Sequence, residues 1–172
     1  MVTLRRRERH LNLRPTLKLS SSSAKVMFDP SILPPSQRKF FDLWNGKRAR
    51  RRFPARGDFL FEELAPWLER LHLIEVLPDG DFLFRVFATR SAIRLDQENT
   101  GRRMSEMPKT WIVTDAMTDY RHAVAAAEPV FADRSRRHED SRLYSWKRLV
   151  LSLGRDETAI DHLFVCLEYD FI

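Results

Sequence analysis

LYSWKRLVLSL at residues 143–153 and AIDHLFVCLEY at residues 159–169 are two β-rich runs separated by Gly154-Arg155-Asp156-Glu157-Thr158. Apolar and β-branched residues alternate through both, which is the period of a strand and not of a helix. The pair predicts a long antiparallel hairpin closing the fold. Leu149, Leu151 and Leu153 share one of its faces, and Leu163, Val165 and Leu167 alternate likewise.

Working outward, Trp111 to Ala127 predicts one amphipathic helix, with Ile112, Ala116, Tyr120, Ala123, Val124 and Ala127 at helical spacing and Pro129 ending it. Val130 to Ser135 predicts a short edge strand. Further upstream, LHLIEV at 71–76 and FLFRVFA at 82–88 flank Pro78-Asp79-Gly80-Asp81, a strong turn, and predict a second hairpin. Phe82, Phe84, Val86 and Ala88 point to one side, and Leu83, Arg85 and Phe87 to the other. Short helical turns are expected at 91–96 and 104–108. The expected fold class is α+β: a five-stranded antiparallel sheet with helices on one face.

Before the sheet, Pro34-Pro35-Ser36 predicts a helix over 36–45, capped by Ser36 and stopped at Gly46. Phe40, Phe41, Leu43 and Trp44 give it an aromatic face that must dock on its own sheet or on a partner chain. Asp58 is expected to cap a further short helix over 59–64. The chain divides into a basic, disordered tail (1–30), a helical extension (31–69) and the sheet domain (70–172).

Charge is unevenly placed. Residues 1–25 hold seven Lys or Arg against Glu8, which matches the net charge of the whole chain, +6; the remainder carries 23 basic and 23 acidic residues. The tail is rich in arginine and serine, faintly like an organelle transit peptide, but has no apolar run of a secretory signal. No stretch approaches the roughly 18 apolar residues of a membrane span. The single cysteine, Cys166, excludes an intrachain disulfide and intrachain zinc-finger or iron–sulfur patterns. A reducing cytoplasm is the expected compartment, and a small buried hydrophobe is the expected role of Cys166.

At this point the order of elements resembles that of PAS domains, and specific pieces resemble a PAS-like family of single-domain bacterial, mainly alphaproteobacterial, proteins. They are Asp42-Leu43-Trp44, Pro54 to Phe59, Leu64 to Trp67, Leu73 to Val76, Phe84-Arg85-Val86 with Thr89, Asn99 to Arg103, and Arg148 to Leu153. The pattern has a glycine before the threonine, where this chain has Ala88. The resemblance implies a PAS fold over residues 36–170, frequent dimerisation, a regulatory role and no catalysis.

No nucleophile elbow, glycine-rich phosphate loop or opposed carboxylate pair accompanies it. The histidines show no H-E-x-x-H spacing, so no metal site is expected. His122 lies off the apolar stripe of the long helix, which argues against haem; Cys166 lies on a strand, which argues against a flavin photocycle. His72 and His162 are expected to meet on adjacent strands, outside any pocket. The expected function is a non-catalytic sensor module binding a small molecule, a signalling partner, or both. Its candidate pocket wall is Phe84, Val86, Ile93, Trp111, Tyr120, Leu149 and Leu151, with Arg94 or Arg85 to anchor an anion. The same residues would equally make a filled core. A homodimer is expected through Phe40, Phe41 and Trp44 over the outer sheet residues Leu83 and Phe87. The alternative is nucleic-acid association through the basic tail and Lys47 to Arg52.

Overall fold

The computed structural model describes residues 28–137 and 143–170. The tail reading, over residues 1–27, and His138 lie outside them. Five strands form the sheet: β1 (Leu71–Val76), β2 (Phe82–Val86), β3 (Val130–Arg137), β4 (Leu143–Leu153) and β5 (His162–Asp170), all antiparallel in the order β2-β1-β5-β4-β3. The helices are α1 (Pro35–Arg48), α2 (Phe61–Leu64), α3 (Thr89–Leu95) and α4 (Trp111–Ala126). Two hairpins brought together by a helical crossover, with α3 and α4 on one face, make this a PAS-like fold.

Local chemistry explains where the helices start and stop. Pro35 presets φ for the first turn of α1, so Ser36 is not its cap. The helix runs through Gly46 and ends at Ala49, which takes a left-handed φ of 51°. Asp58 does not cap the helix that follows it. Its carboxylate closes the preceding turn by accepting from Ala55 N–H at 2.9 Å. Thr110 caps α4 by accepting from Val113 N–H, and Ala127 ends it at φ 52°.

Alternation along β4 separates two layers. Trp146, Arg148, Val150 and Ser152 face α4, whereas Leu149, Leu151 and Leu153 face α1. On β5, Leu163, Val165 and Leu167 face α4, and Phe164 and Cys166 face α1.

Phe40, Phe41 and Trp44 of α1 are buried against the outer face together with Phe53, Phe59 and Trp67. Phe40 lies 5.1 Å from Trp67 and 5.6 Å from Phe164, ring centre to ring centre. Gln37 Nε2 donates to Lys147 O and Cys166 O, and Trp44 Nε1 donates to Ser152 O, so polar atoms of α1 grip the strand backbone. The expected dimer residues are thus spent within the chain. Phe87 also departs from its expected face. β2 ends at Val86, the alternation stops there, and Phe87 turns inward against His72 and Phe84. Leu83 is half-buried and bridges to Arg103.

The rim of the sheet is also covered or charged. Gly101 N–H donates to Phe84 O and Phe84 N–H to Arg102 O, so residues 101–103 lie along β2. At the other side β3 exposes Asp133, Arg136 and Arg137. At the end of β4, Gly154 sits where any Cβ would lie 2.3 Å from Ala159 O and 2.4 Å from the Phe53 ring. Only glycine permits that approach.

Candidate ligand cavity

The inner face of the sheet does not close on α4 completely. A cavity of about 80 Å³ remains between β1, β2, β4 and β5 on one side and α3, the turn at Met104–Glu106 and α4 on the other. Phe84, Phe87, Met104, Trp111, Val113 and Leu167 give it apolar walls. Two arginines, Arg94 and Arg148, line it, and among the described residues no carboxylate does.

Each polar group is positioned by its element. Arg148 sits on the inward side of β4, 3% exposed, and donates to Asp119 Oδ2 at 2.5 Å. Asp119 falls three residues after Ala116, on the buried stripe of α4. Arg134 of β3 grips the same carboxylate with both terminal nitrogens, at 2.7 and 2.8 Å. That two-pronged contact holds the Arg134 guanidinium firmly protonated, its pKa raised above the usual arginine value. One buried carboxylate therefore serves two guanidinium groups. Arg94 lies over the rings of Tyr144 and Tyr169, at 5.0 and 4.6 Å from their centroids.

A hydrogen-bond chain runs along the opposite wall. Ala88 N–H donates to His72 Nδ1 at 3.2 Å. A backbone N–H only donates, so neutral His72 carries its hydrogen on Nε2 and donates it to Ser91 Oγ, 3.0 Å away. The Ser91 and Tyr169 hydroxyls share a hydrogen bond of 2.9 Å. Burial first, and Arg148 second, push the His72 pKa down to about 3. Burial raises that of Tyr169. The chain has the wrong polarity for hydrolysis, because a base must hold a bare Nε2 toward its nucleophile and His72 presents a hydrogen there.

Of the residues expected to wall a pocket, Phe84, Arg94, Trp111 and Tyr120 lie on the cavity. Leu149 and Leu151 do not; they face α1, because β4 has the opposite parity. Val86 and Ile93 are 44% and 76% exposed, the first at the end of its strand and the second on the outward side of α3. Arg85 pairs instead with Glu75, at 2.6 Å. His72 is opposite Val165, and His162 opposite Glu75, so the two histidines do not meet. His72, Ser91, Trp146, Arg148 and Tyr169 were not anticipated; the signal was an arginine inside an otherwise apolar strand and an aspartate inside an apolar helix stripe. His122 is exposed on α4.

Two of the five basic residues over Lys47 to Arg52 meet acids. Lys47 meets Glu63 at 2.7 Å and Arg51 meets Asp58 at 2.5 Å. Among the described residues, no helix is long and apolar enough to cross a membrane, and no group of three or more His, Cys, Asp or Glu residues could hold a metal ion.

No protein-family model matches the chain, and no curated protein matches it. Solved structures do. A light-oxygen-voltage (LOV) domain studied with a flavin analogue superposes with a TM-score of 0.46 at 11% identity, over 64% of this chain and 83% of that one. The LOV protein of Rhodobacter sphaeroides gives 0.43 at 13%, over 63% and 66%. The light state of the aureochrome1 LOV domain, a blue-light photoreceptor, gives 0.43 at 13%, over 66% and 90%. A flavin does not fit this cavity. Its 80 Å³ is smaller than the roughly 150 Å³ of a cavity that takes up a single benzene ring. The one cysteine, Cys166, is packed on the opposite face.

Proposed function

We propose that the protein is a non-catalytic PAS-like sensor module of bacterial cytoplasmic signalling whose inner cavity takes a small molecule. The observation that carries this reading is the cavity itself: an apolar chamber with a few convergent polar groups, the usual form of a ligand site. The reversed polarity of the His72–Ser91 contact supports a binding role over a hydrolytic one. Ligand occupancy would be passed to a signalling partner through the helices that roof the cavity. Homodimerisation, if it accompanies this role, uses a surface other than Phe40, Phe41 and Trp44, which are already buried.

The test is xenon binding by the purified full chain, followed by NMR shifts of the methyl groups of Val113 and Leu167 and of Met104. A dry apolar cavity takes up xenon. Saturable shifts at those methyls are expected; shifts spread over the surface, or none, would end the cavity reading.

A further inference from the structure

Resting on that reading, we infer that the cavity selects a short-chain organic carboxylate, held by hydrogen-bond donors of β4 and β5 with its carbon tail toward Met104 and Val113. The donors come first. Trp146 Nε1 and Arg148 Nε are buried, with no hydrogen-bond partner among the described residues. Their side chains are 6% and 3% exposed, and both belong to the cavity wall. A buried donor left unmet costs about 1–3 kcal/mol and more when it is charged. Two such donors in one chamber point to an acceptor that belongs there.

Tyr169 supplies a third donor. The direction from Ala88 N–H through His72 to Ser91 follows from the backbone N–H at the far end, and the Ser91 and Tyr169 hydroxyls then meet at 2.9 Å, where either can donate. With an anion in the chamber, Ser91 donates to Tyr169 and Tyr169 gives its own hydrogen to the ligand.

Charge favours an anion over a neutral acceptor. Arg148, 3% exposed, shares the carboxylate of Asp119 with the half-buried Arg134, so that carboxylate meets the buried Arg148 charge only in part. His72 adds no charge, and no carboxylate of the described residues lines the chamber. Size limits the carbon tail. At 80 Å³ the chamber suits about three or four non-hydrogen atoms, by scaling from the benzene-sized cavity. That is the size of formate or acetate. The apolar walls favour the organic acid over an inorganic oxoanion of similar size, which would have to leave water on every side.

The experiment is a titration of the full chain with sodium formate and sodium acetate at constant ionic strength. NMR shifts of the Trp146 indole and the Val113 methyls report binding. Formamide, acetamide and inorganic phosphate are the comparison ligands. Saturable shifts with the carboxylates and at least about tenfold weaker binding of the amides are expected, since a hydrogen bond to a charged group is the stronger kind. Tyr169→Phe and Trp146→Phe each remove one donor and should weaken acetate about tenfold while leaving xenon uptake intact. Arg148→Met should abolish the preference for carboxylate over amide; if it fails to fold, the two single-donor variants decide.

Equal binding of amides, tighter binding of phosphate, or unchanged affinity in both single-donor variants would overturn the proposal. Xenon uptake without any carboxylate response would overturn it and leave the cavity standing. Loss of both responses would remove the cavity as well.

Discussion

The two faces of one sheet are both buried, but by different means. The outer face is aromatic and closed: Phe40, Trp44, Phe59 and Trp67 interlock over Phe164 and Leu151, and its polar contacts run from side chains to strand backbone. The inner face is part apolar and part ionic, and it is incompletely filled. The same strands supply both layers from alternate residues. The outer layer reads as a device for stability, and the inner one gives up some packing to keep a chamber with donors in its wall.

Substitutions at the two layers should fail differently. Trp44→Ala removes a large side chain from a closed layer and should cost about 3–5 kcal/mol by denaturant unfolding. Asp119→Ala leaves Arg148 buried without its counter-charge and should cost a similar amount, about 3–5 kcal/mol. The contrast lies in rescue. Arg148→Met added to Asp119→Ala should recover much of the loss, since an apolar pair tolerates burial. No single partner substitution should restore Trp44→Ala. A full rescue at Trp44, or none at Asp119, would erase the distinction.

Acid should act on the inner face. His72 has a folded pKa of about 3 against an ordinary 6.5. The unfolded chain therefore binds a proton that the fold refuses, and stability falls as pH drops from about 6.5 toward about 3. The slope approaches about 1.4 kcal/mol per pH unit. Unfolding measured between pH 6.5 and about 5, above the carboxylate range, should lose most of its slope in His72→Gln.

The outer face should be chemically silent by comparison. Burial pushes the Cys166 thiol up to about 12. A thiol reagent at neutral pH should label it only as fast as the protein unfolds. Labelling of the native protein within minutes would mean the outer layer opens. The smallest effect belongs to neither layer: Ile93→Ser, on the exposed side of α3, should change stability by less than about 0.5 kcal/mol.

The strands and the long helix were legible because their periods are sustained over five to sixteen residues. The parity of β4 was not. Alternation sorts Leu149 and Leu151 from Arg148 and Ser152, but it does not say which set meets α4 when both faces are covered. Asp119 on the helix stripe was the available clue, since a buried carboxylate needs an inward arginine. Ile93 was misplaced because a helix as short as α3, seven residues, has too few turns to define a face. The His72 chain was invisible for another reason: Ser91 is 19 residues away and Tyr169 a further 78, and no local pattern encodes that meeting.

The rim of the sheet has a consequence for self-assembly. Chains fuse into fibres or shared sheets when a bare outermost strand offers unpaired amides to a neighbour. Here residues 101–103 already pair with Phe84 on β2, while the outward residues of β3 include the charged Asp133 and Arg136. Lateral addition of a further strand is hindered at one margin by backbone already in place and at the other by charges that would have to leave water.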